Sequence, residues 1–467
     1  MIHFSTGFRA RYFAASFLLG ALVGTGAYAQ NTAADFAFRD AANTPPAGYN
    51  GPVFELSHSY PTQDPGACGI ADCPWLYIDV DFTSGEAVDW ETGPWNDYII
   101  AIMEVVVRGQ DPNMSNESGF QSQVDGETAW YHVPWMAYDP SAGREFAHGT
   151  TNERTAHLSD FIGSPMPNAT ALSAMSPSCQ TQFPNGFESW AVGVYNKWGG
   201  YALGQAFPAD GAPALTILGD QMVPAGLPFP TGTMVTKFLT TNATPDCVPY
   251  LANSAVWEVN RHKVSAEKTY TCERDVQQTR LTQVDVAVVD PRSPTRWVYG
   301  TFGYSADADG DTVLDRLVPL GLQWGSDPET FPAVPQSSSI PATESVLNLN
   351  VGIYEHWGCA ERLAGPVDNP KSSCVSCHAS AFAAADGAIS VMGTNVPPTF
   401  GFKGICETGG SDENAAYFSN YQFPEQYPTG AYPDAVSLDS SLQVAVAMTQ
   451  YATFANNGEP TACKDPG

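Results

Sequence analysis

The sequence has few basic residues. It contains 20 Lys and Arg against 49 Asp and Glu, which gives a formal net charge of −29 at pH 7 over 467 residues. A surface of this sign repels phosphate backbones and anionic lipid headgroups, so nucleic acid and acidic membrane surfaces are excluded as electrostatic partners. A basic partner or a divalent cation fits the charge, and a solvated acidic surface kept soluble by self-repulsion is the simpler alternative.

Long apolar runs are absent beyond the amino terminus. There, Arg9 and Arg11 precede an apolar or small stretch over 12–27, and residues 27–29 fit the small-x-small cleavage rule. This pattern predicts a signal peptide at 1–29 and an exported protein, periplasmic or extracellular in a Gram-negative bacterium, without a membrane span after cleavage. A membrane anchor is the alternative. Cleavage would remove two arginines and leave 18 basic against 49 acidic residues, a charge of 18 − 49 = −31.

Helical periodicity is also scarce. The apolar segments are short and rich in Val, Tyr, Phe and Trp, and several alternate with period two, as do Val284, Val286 and Val288. This favours a mainly β fold of antiparallel, sandwich-like lobes with a small, partly helical segment near the carboxyl end. Helices are expected only after residue 378 and over 441–457. The predicted strands are 97–109, 189–196, 200–207, 232–241, 282–290 and 296–305.

The length is sufficient for more than one lobe, since domains hold roughly 100–200 residues. We divide the chain into a β-rich amino-terminal lobe (30–165), a β-rich central region (166–345) and a carboxyl-terminal region (346–467). The sequence contains no internal repeat and no low-complexity tract. Gly and Pro are spread along the chain, so no linker is marked by composition.

The carboxyl-terminal region contains the motif C-x-x-C-H, formed by Cys374, Cys377 and His378. Two cysteines at this spacing form thioether bonds to the two vinyl groups of a haem, and the histidine that follows becomes the proximal ligand of the iron. The attachment takes place outside the cytoplasm, in agreement with the predicted signal peptide. One motif predicts one haem c. A C-x-x-C disulfide or redox pair with an incidental histidine is the alternative.

The sixth ligand of such a haem would decide its chemistry. A Met or His makes a low-spin electron carrier, whereas an open position lets a small molecule bind and react. No histidine follows His378 in the sequence. The candidates are Met448, Met392 and His356, and a core methionine or an ordinary hydrogen-bonded histidine is the alternative at each.

Eight cysteines remain, and an even number in an exported chain predicts up to four disulfides. Cys68 and Cys73 form the best local pair, and Cys247 with Cys272 is the next pairing we expect. A tetrathiolate zinc site is the competing interpretation.

Two family resemblances follow from these stretches. The segments WAVGVYNKWGGYALGQAF and CAERLAGPVDNPKSSC make the chain similar to a group of bacterial exported single-haem cytochromes c. Over about residues 229–380 it also resembles the cytochrome P-460 family, through FPTGTMVTKFLTT, VDVAVVDPRSPTRWVYGTFGYS and the haem motif. The second resemblance implies a small, largely β haem c protein with an open distal face. It also implies a lysine crosslinked to the porphyrin, for which Lys237 is the candidate, and in some members hydroxylamine oxidation.

An acidic loop precedes the carboxyl-terminal region. Asp307, Asp309, Asp311 and Asp315 alternate around Gly310, and their carboxylates could supply most of the oxygens that Ca²⁺ requires. We therefore predict a calcium site here, with a solvated acidic turn as the alternative.

Three functions stay open on the sequence alone. The first is electron transfer with a periplasmic redox partner that has a basic docking face. The second is a five-coordinate haem enzyme that oxidises a hydroxylamine-like or peroxide substrate, with Lys237 tuning the macrocycle. The third is a haem-tagged binding module with an aromatic contact face. The candidates for that face are tryptophans of the amino-terminal lobe: Trp90, Trp95, Trp130 and Trp135. Packing in a hydrophobic core is the alternative for these side chains. No nucleophile elbow, HExxH motif or phosphate-binding glycine loop is present.

Overall fold

A computed structural model describes the greater part of the chain between residues 54 and 457. The described residues are 54, 56–83, 93–115, 119–136, 138–139, 143–144, 177–183, 187–208, 212–264, 270–328, 343–348, 350–351, 358–359, 362–368, 372–384, 389–391, 416–427 and 434–457. The predicted signal peptide lies outside them.

Antiparallel strands dominate the fold, which confirms the mainly β prediction. In chain order the strands are β1 Gln123–Val124, β2 Glu127–Thr128, β3 Tyr131–His132, β4 Tyr138–Asp139, β5 Gly143–Arg144, β6 Ser189–Tyr195, β7 Leu215–Leu218, β8 Gln221–Pro224, β9 Met234–Thr241, β10 Val256–Val264, β11 Tyr270–Val289, β12 Trp297–Tyr304, β13 Leu317–Gln323, β14 Ser345–Leu347, β15 Ala381–Ala383, β16 Ile389–Val391 and β17 Val436–Ser437. The α-helices are α1 Pro94–Val106, α2 Pro177–Gln182, α3 Lys197–Ala206, α4 Cys374–Ala379 and α5 Leu442–Asn457.

The main sheet has eight strands, in the order β14-β13-β12-β11-β9-β6-β3, with β10 paired to the first half of β11. It takes strands from both sides of residue 165, where the sequence suggested a lobe boundary. The described residues all fall in one compact unit. The boundaries at 165 and 345 stay predictions.

The alternation of β11 separates the two faces of this sheet. Val284, Val286 and Val288 are 0%, 2% and 0% exposed and belong to the larger hydrophobic core. Each buried valine contributes about 2 kcal/mol to folding relative to an exposed one. The intervening Asp285 and Ala287 point to the opposite face, because successive side chains of a strand alternate. That opposite face holds the candidate site.

Two of the predicted strands are helices, and these predictions were wrong. Residues 97–109 fall largely in α1, which has Pro94 at its first position and buries Tyr98, Ile102 and Val106 at four-residue intervals. Residues 200–207 fall largely in α3, where the Asn196 side chain caps the first turn by accepting a hydrogen bond from the Gly199 N–H at 3.3 Å. Both segments place apolar residues at helical spacing, and the start signals lie just before the predicted range.

The carboxyl-terminal region builds a smaller sheet from β15, β16 and β17. The helix predicted over 441–457 is confirmed by α5. The segment after residue 378 was expected to be helical, but the helix ends at Ala379 and β15 begins at Ala381. Within the part of the chain that the structure describes, no helix combines the length and apolarity needed to cross a bilayer.

Candidate functional site

The C-x-x-C-H motif forms the short helix α4, and its start is fixed by serines. The Ser373 hydroxyl accepts a hydrogen bond from the Ser376 N–H at 3.3 Å, and the Ser376 hydroxyl accepts one from the Ser373 N–H at 3.1 Å. This reciprocal pattern is a capping box, here with serine at both positions. Gln323 at the end of β13 also holds the turn, since its side-chain oxygen accepts from the Val375 N–H at 3.0 Å.

The three motif side chains share one face of this turn. Val375, Ser376 and Ala379 are 1%, 0% and 1% exposed, whereas Cys374, Cys377 and His378 keep an intermediate exposure. Positions i, i+3 and i+4 of a helix lie side by side, which explains the common direction. Both thiols are free, and they are not joined to each other.

These side chains are strongly desolvated although each keeps some contact with solvent. Burial is the largest cause of each pKa shift: it raises the pKa of Cys374, raises the pKa of Cys377 to about 11, and lowers the pKa of His378 to about 4. Burial therefore keeps both thiols protonated and the imidazole neutral near pH 7.

The imidazole of His378 is oriented by two neighbours. Its Nδ1 lies 3.3 Å from the carbonyl oxygen of Ser440, just before α5. Because a carbonyl only accepts, Nδ1 carries the proton in this contact and the lone pair is left on Nε2. The ring of Tyr299 packs against the imidazole, with centroids 4.8 Å apart at 38°. The depressed pKa keeps the ring neutral, the form that binds a metal.

A polar row on the main sheet lies beside the motif. Lys237 on β9 is paired with Asp285 on β11, and Asp285 is paired with Thr301 on β12, so the three side chains share one face. The Thr301 hydroxyl donates to Asp285 Oδ1 at 2.8 Å. Burial lowers the pKa of His378 most, and the positive charge of Lys237 lowers it further, which places Lys237 close to the motif.

Gln283 joins this row to the segment that leads into the motif. Its side-chain nitrogen donates to both carboxylate oxygens of Asp285, at 2.9 and 3.0 Å, and to Asp368 Oδ2 at 3.2 Å. Its oxygen accepts from the Val367 N–H at 3.1 Å. A Cβ on Gly365 would come within 2.2 Å of the Gln283 nitrogen, so a larger residue there would force the Gln283 amide to shift.

The surroundings of Asp285 raise the pKa of its carboxyl group. Burial is the main cause that raises its pKa, and the nearby Asp368 raises it further. The hydrogen bond from Thr301 and the charge of Lys237 act in the opposite direction. Carboxyl, amine, thiol and imidazole groups with interacting charges thus meet in one patch, a feature typical of functional sites.

The sequence reasoning missed several of these residues. Gln283, Asp285 and Thr301 stand out only when β11 and β12 are aligned. A signal was present, because Gln283 and Asp285 are polar residues at period two beside the valine run of Val284, Val286 and Val288. Tyr417 was missed without any such signal. Its hydroxyl is hydrogen-bonded to Ser372 Oγ, and the separation of 45 residues between the two leaves no local sequence pattern.

The sixth-ligand candidates have different outcomes. Met448 is 4% exposed and lies in the hydrophobic cluster that also contains Tyr299 and Val375. It packs against the back of the motif as a core residue, and its role as a ligand stays a prediction. Met392 and His356 lie outside the described residues.

The aspartate loop does not bring its carboxylates together around a common point, as a calcium site would require. The side chain of Asp315 accepts hydrogen bonds from the Thr312 N–H and hydroxyl, at 3.0 and 2.7 Å. Within the described residues, no group of three or more His, Cys, Asp or Glu side chains is placed to hold a metal ion. Calcium binding by Asp307, Asp309, Asp311 and Asp315 stays a prediction, and this geometry does not support it.

Two further expectations can be compared with the structure. Cys68 and Cys73 form a disulfide, as predicted. The pairing of Cys247 with Cys272 was wrong, because Cys247 is bonded to Cys179 across a separation of 68 residues. Nothing in the local sequence marks that contact, which the fold brings about by placing α2 beside the loop after β9.

The aromatic contact face was also wrong for the described tryptophans. Trp95, Trp130 and Trp135 are 6%, 3% and 1% exposed, and each packs in a hydrophobic cluster. Trp95 stacks on Trp324 with centroids 4.2 Å apart. Trp90 lies outside the described residues.

The comparisons with known proteins provide no relative against which this site can be checked. The cytochrome c and cytochrome P-460 resemblances stay predictions. No protein-family model, no curated protein and no solved structure matches this chain.

Proposed function

We propose that this chain is an exported c-type cytochrome with one covalent haem that transfers electrons in the periplasm. The observation that carries the proposal is the arrangement of the motif itself. Cys374 and Cys377 are free and partly exposed on the same face of α4 as His378. Covalent haem attachment requires this combination of two reachable sulfurs and an adjacent imidazole.

The histidine also fits the role of an axial ligand. A hydrogen bond from Nδ1 to the Ser440 carbonyl leaves Nε2 to bind iron, which is the usual arrangement around a ligating histidine. Tyr299 and Ser440 hold the ring in one orientation, so little freedom would be lost on binding. The haem would supply a one-electron iron couple, and the protein would supply its attachment, its ligand and its enclosure.

A thiol redox site is the competing use of C-x-x-C, and the electrostatics argue against it. Reactive cysteines of that class have lowered pKa values, because the thiolate is the nucleophile. Here burial raises the pKa of both Cys374 and Cys377, and the charge of Asp368 raises both further. Protonated thiols are suited to addition across vinyl groups by an attachment machinery, and they are poor exchange nucleophiles.

A five-coordinate haem enzyme is the second candidate function, and the position of Lys237 favours it. The amine lies close enough to the motif for its charge to lower the pKa of His378 and Cys377. The burial of Met448 in the apolar cluster behind Val375 also leaves the iron without an evident sixth ligand from that helix. A hydroxylamine-like or peroxide substrate would suit such a centre.

Optical spectra of the purified mature protein test the proposal. The protein is produced with the haem attachment machinery, and the oxidised, reduced and carbon monoxide-treated spectra are recorded. We expect a low-spin reduced spectrum that carbon monoxide does not alter. A high-spin spectrum that shifts with carbon monoxide would favour the enzyme, and a strongly red-shifted band would indicate a crosslink at Lys237. A protein without any haem absorption would overturn both functions.

Variants identify the attachment sites and the ligand. The pyridine haemochrome of Cys374→Ala or Cys377→Ala should report a single thioether, and His378→Ala should lose the low-spin spectrum. The matched control is the double variant Cys68→Ala and Cys73→Ala, which removes a cysteine pair away from the motif and should keep a two-thioether haem. Met448→Leu conserves volume and isolates the question of the sixth ligand.

A further inference from the structure

The hairpin formed by β7 and β8 presents an apolar face to solvent. Its register pairs Leu215 with Pro224 and Ile217 with Met222, so these residues point to the same side. Leu215, Ile217 and Met222 are 44%, 74% and 47% exposed. Among the described residues, these are three of the six large hydrophobic side chains that are exposed. A cluster of this kind is characteristic of a contact surface.

The other side of the hairpin is packed on the sheet that follows the haem motif. Val223 is 0% exposed and shares a hydrophobic cluster with Ala381, Ala383 and Val436 of that sheet. Strand β15 begins three residues after His378, since 381 − 378 = 3. The outward face of the hairpin is therefore separated from the haem-binding segment by one layer of side chains and a short connection.

The chain segments that build this face carry charge of a single sign. The sequence contains no Lys or Arg between Lys197 and Lys237, the stretch that includes the hairpin, and none between Lys403 and Lys464. The acidic residues of the hairpin turn and of the segment that carries β17 are exposed: Asp220, Glu425 and Asp434. An apolar centre on segments that carry only negative charge is complementary to an apolar patch surrounded by lysines.

We propose that the outward face of the β7–β8 hairpin docks a basic electron-transfer protein, with Leu215, Ile217 and Met222 at the centre of the contact. This inference rests on the proposed function. A contact centred on three exposed side chains is of the small, transient kind that redox partners form. A second copy of the chain is a poor occupant, because a formal charge of −29 repels itself.

The test measures binding to a defined probe by isothermal titration calorimetry. The probe is a small soluble cytochrome c whose exposed haem edge is surrounded by lysines, and the same protein with its lysines succinylated is the charge control. The double variant Ile217→Ser and Met222→Ser removes the apolar centre without changing charge. Val276→Ser is the matched control, since Val276 is 55% exposed on β11, away from the hairpin.

We expect the mature protein to bind the unmodified probe with an affinity that falls as salt rises. The double variant should weaken binding at least about tenfold, as truncation of central contacts does, while Val276→Ser leaves it unchanged. Circular dichroism should show that both variants are folded. The proposal is overturned if the double variant binds as the parent does, if the succinylated probe binds equally well, or if the parent does not bind.

Two further readouts separate this inference from the function on which it rests. Calorimetry does not need the haem, so loss of haem in the optical experiment and loss of binding here are independent results. Sedimentation velocity addresses the other occupant. A parent that dimerises, with the double variant monomeric, would assign the hairpin to self-association and overturn the proposal.

Discussion

Replacing Asp439 with alanine should destabilise the protein strongly and disturb the candidate haem site at the same time. The carboxylate accepts hydrogen bonds from Arg296 Nη1 at 2.8 Å, from Trp297 Nε1 at 3.1 Å and from the Phe229 N–H at 2.6 Å. Its neighbour Ser440 supplies the carbonyl that orients His378. Asp439 therefore joins the main sheet, the loop before β9 and the start of α5.

The size of the effect follows from burial. Asp439 is 1% exposed and the Arg296 side chain 20% exposed, and the two N–H partners belong to buried residues. Burial raises the pKa of Asp439 in spite of Arg296, so desolvation offsets much of the attraction in the ion pair. The loss of stability in Asp439→Ala comes mainly from the groups that lose their acceptor, which are the charge of Arg296 and the N–H donors of Trp297 and Phe229. Removing one partner of a buried pair costs about 3–5 kcal/mol.

Two variants give this prediction its controls. Asp439→Asn keeps one acceptor oxygen and a residue that tolerates the observed φ of 52°, so its loss should be smaller, about 1–3 kcal/mol. Asp434→Ala removes an exposed carboxylate five positions earlier and should stay within about 0.5 kcal/mol of the parent.

Urea unfolding at pH 7, followed by tryptophan fluorescence and circular dichroism, measures the free energy of unfolding. The haem spectrum of the same samples reports on His378. A loss for Asp439→Ala that is no larger than that for Asp434→Ala would refute the reasoning. So would a large loss without any change at the haem, because the carbonyl of Ser440 would then not depend on its neighbour.

Three further predictions test other parts of the structure. Because burial and Asp368 raise the pKa of Asp285, the folded protein holds a proton that the unfolded chain releases, and stability should fall as pH rises above the ordinary value of 3.8. Asp285→Asn should flatten this decline in urea unfolding series between about pH 5 and 8, and an unchanged slope would contradict the assignment. The double variant Cys179→Ser and Cys247→Ser opens a loop of 68 residues and should lower the free energy of unfolding by about 4 kcal/mol. Peptide mapping of the single variant Cys179→Ser checks the pairing. If Cys247 is still in a disulfide there, the pairing is contradicted. Gly226→Ala should lower the midpoint temperature of unfolding, because the φ of Gly226 is 90° and a Cβ would lie 2.4 Å from a backbone oxygen. A midpoint equal to that of the parent would contradict this prediction.

Short apolar runs rich in β-branched and aromatic residues predicted four of the strands correctly, but two runs of the same kind are helices. The runs over 189–196, 232–241, 282–290 and 296–305 are strands in the structure. Residues 97–109 and 200–207 have the same composition of short apolar runs, and only their spacing separates them from strands. The decisive signals were Pro94 and Asn196, which start the two helices just upstream. Composition therefore carried less information than the local start signals.

Only the three residues of the C-x-x-C-H motif could be predicted from the sequence as members of the candidate site. The spacing of Cys374, Cys377 and His378 is local, and the structure places them together on one turn. The polar groups around them come from distant strands, and their meeting depends on register. Lys237 was singled out by resemblance, and register pairs it with Asp285, which no sequence pattern had suggested. Disulfide partners far apart in the chain belong to the same class of non-local information.

Burying the polar row of Lys237, Asp285 and Gln283 costs folding free energy, and this cost suggests that the row serves the candidate haem site. A lysine and a carboxylate in the middle of a sheet are expensive, and apolar residues of similar volume would usually stabilise the fold as well or better. Here Lys237, Asp285 and Gln283 place charged and amide groups on the face beside the motif, while the opposite face of the same strands contributes Met234, Phe238, Val284, Val286 and Val288 to the larger hydrophobic core. Electrostatic effects on His378 and on both thiols connect the row to the motif. Exchanging Lys237 for Met would therefore separate the two proposed functions: an electron carrier should keep its haem and its spectrum with a shifted potential, whereas a crosslinked enzyme should lose its red-shifted band.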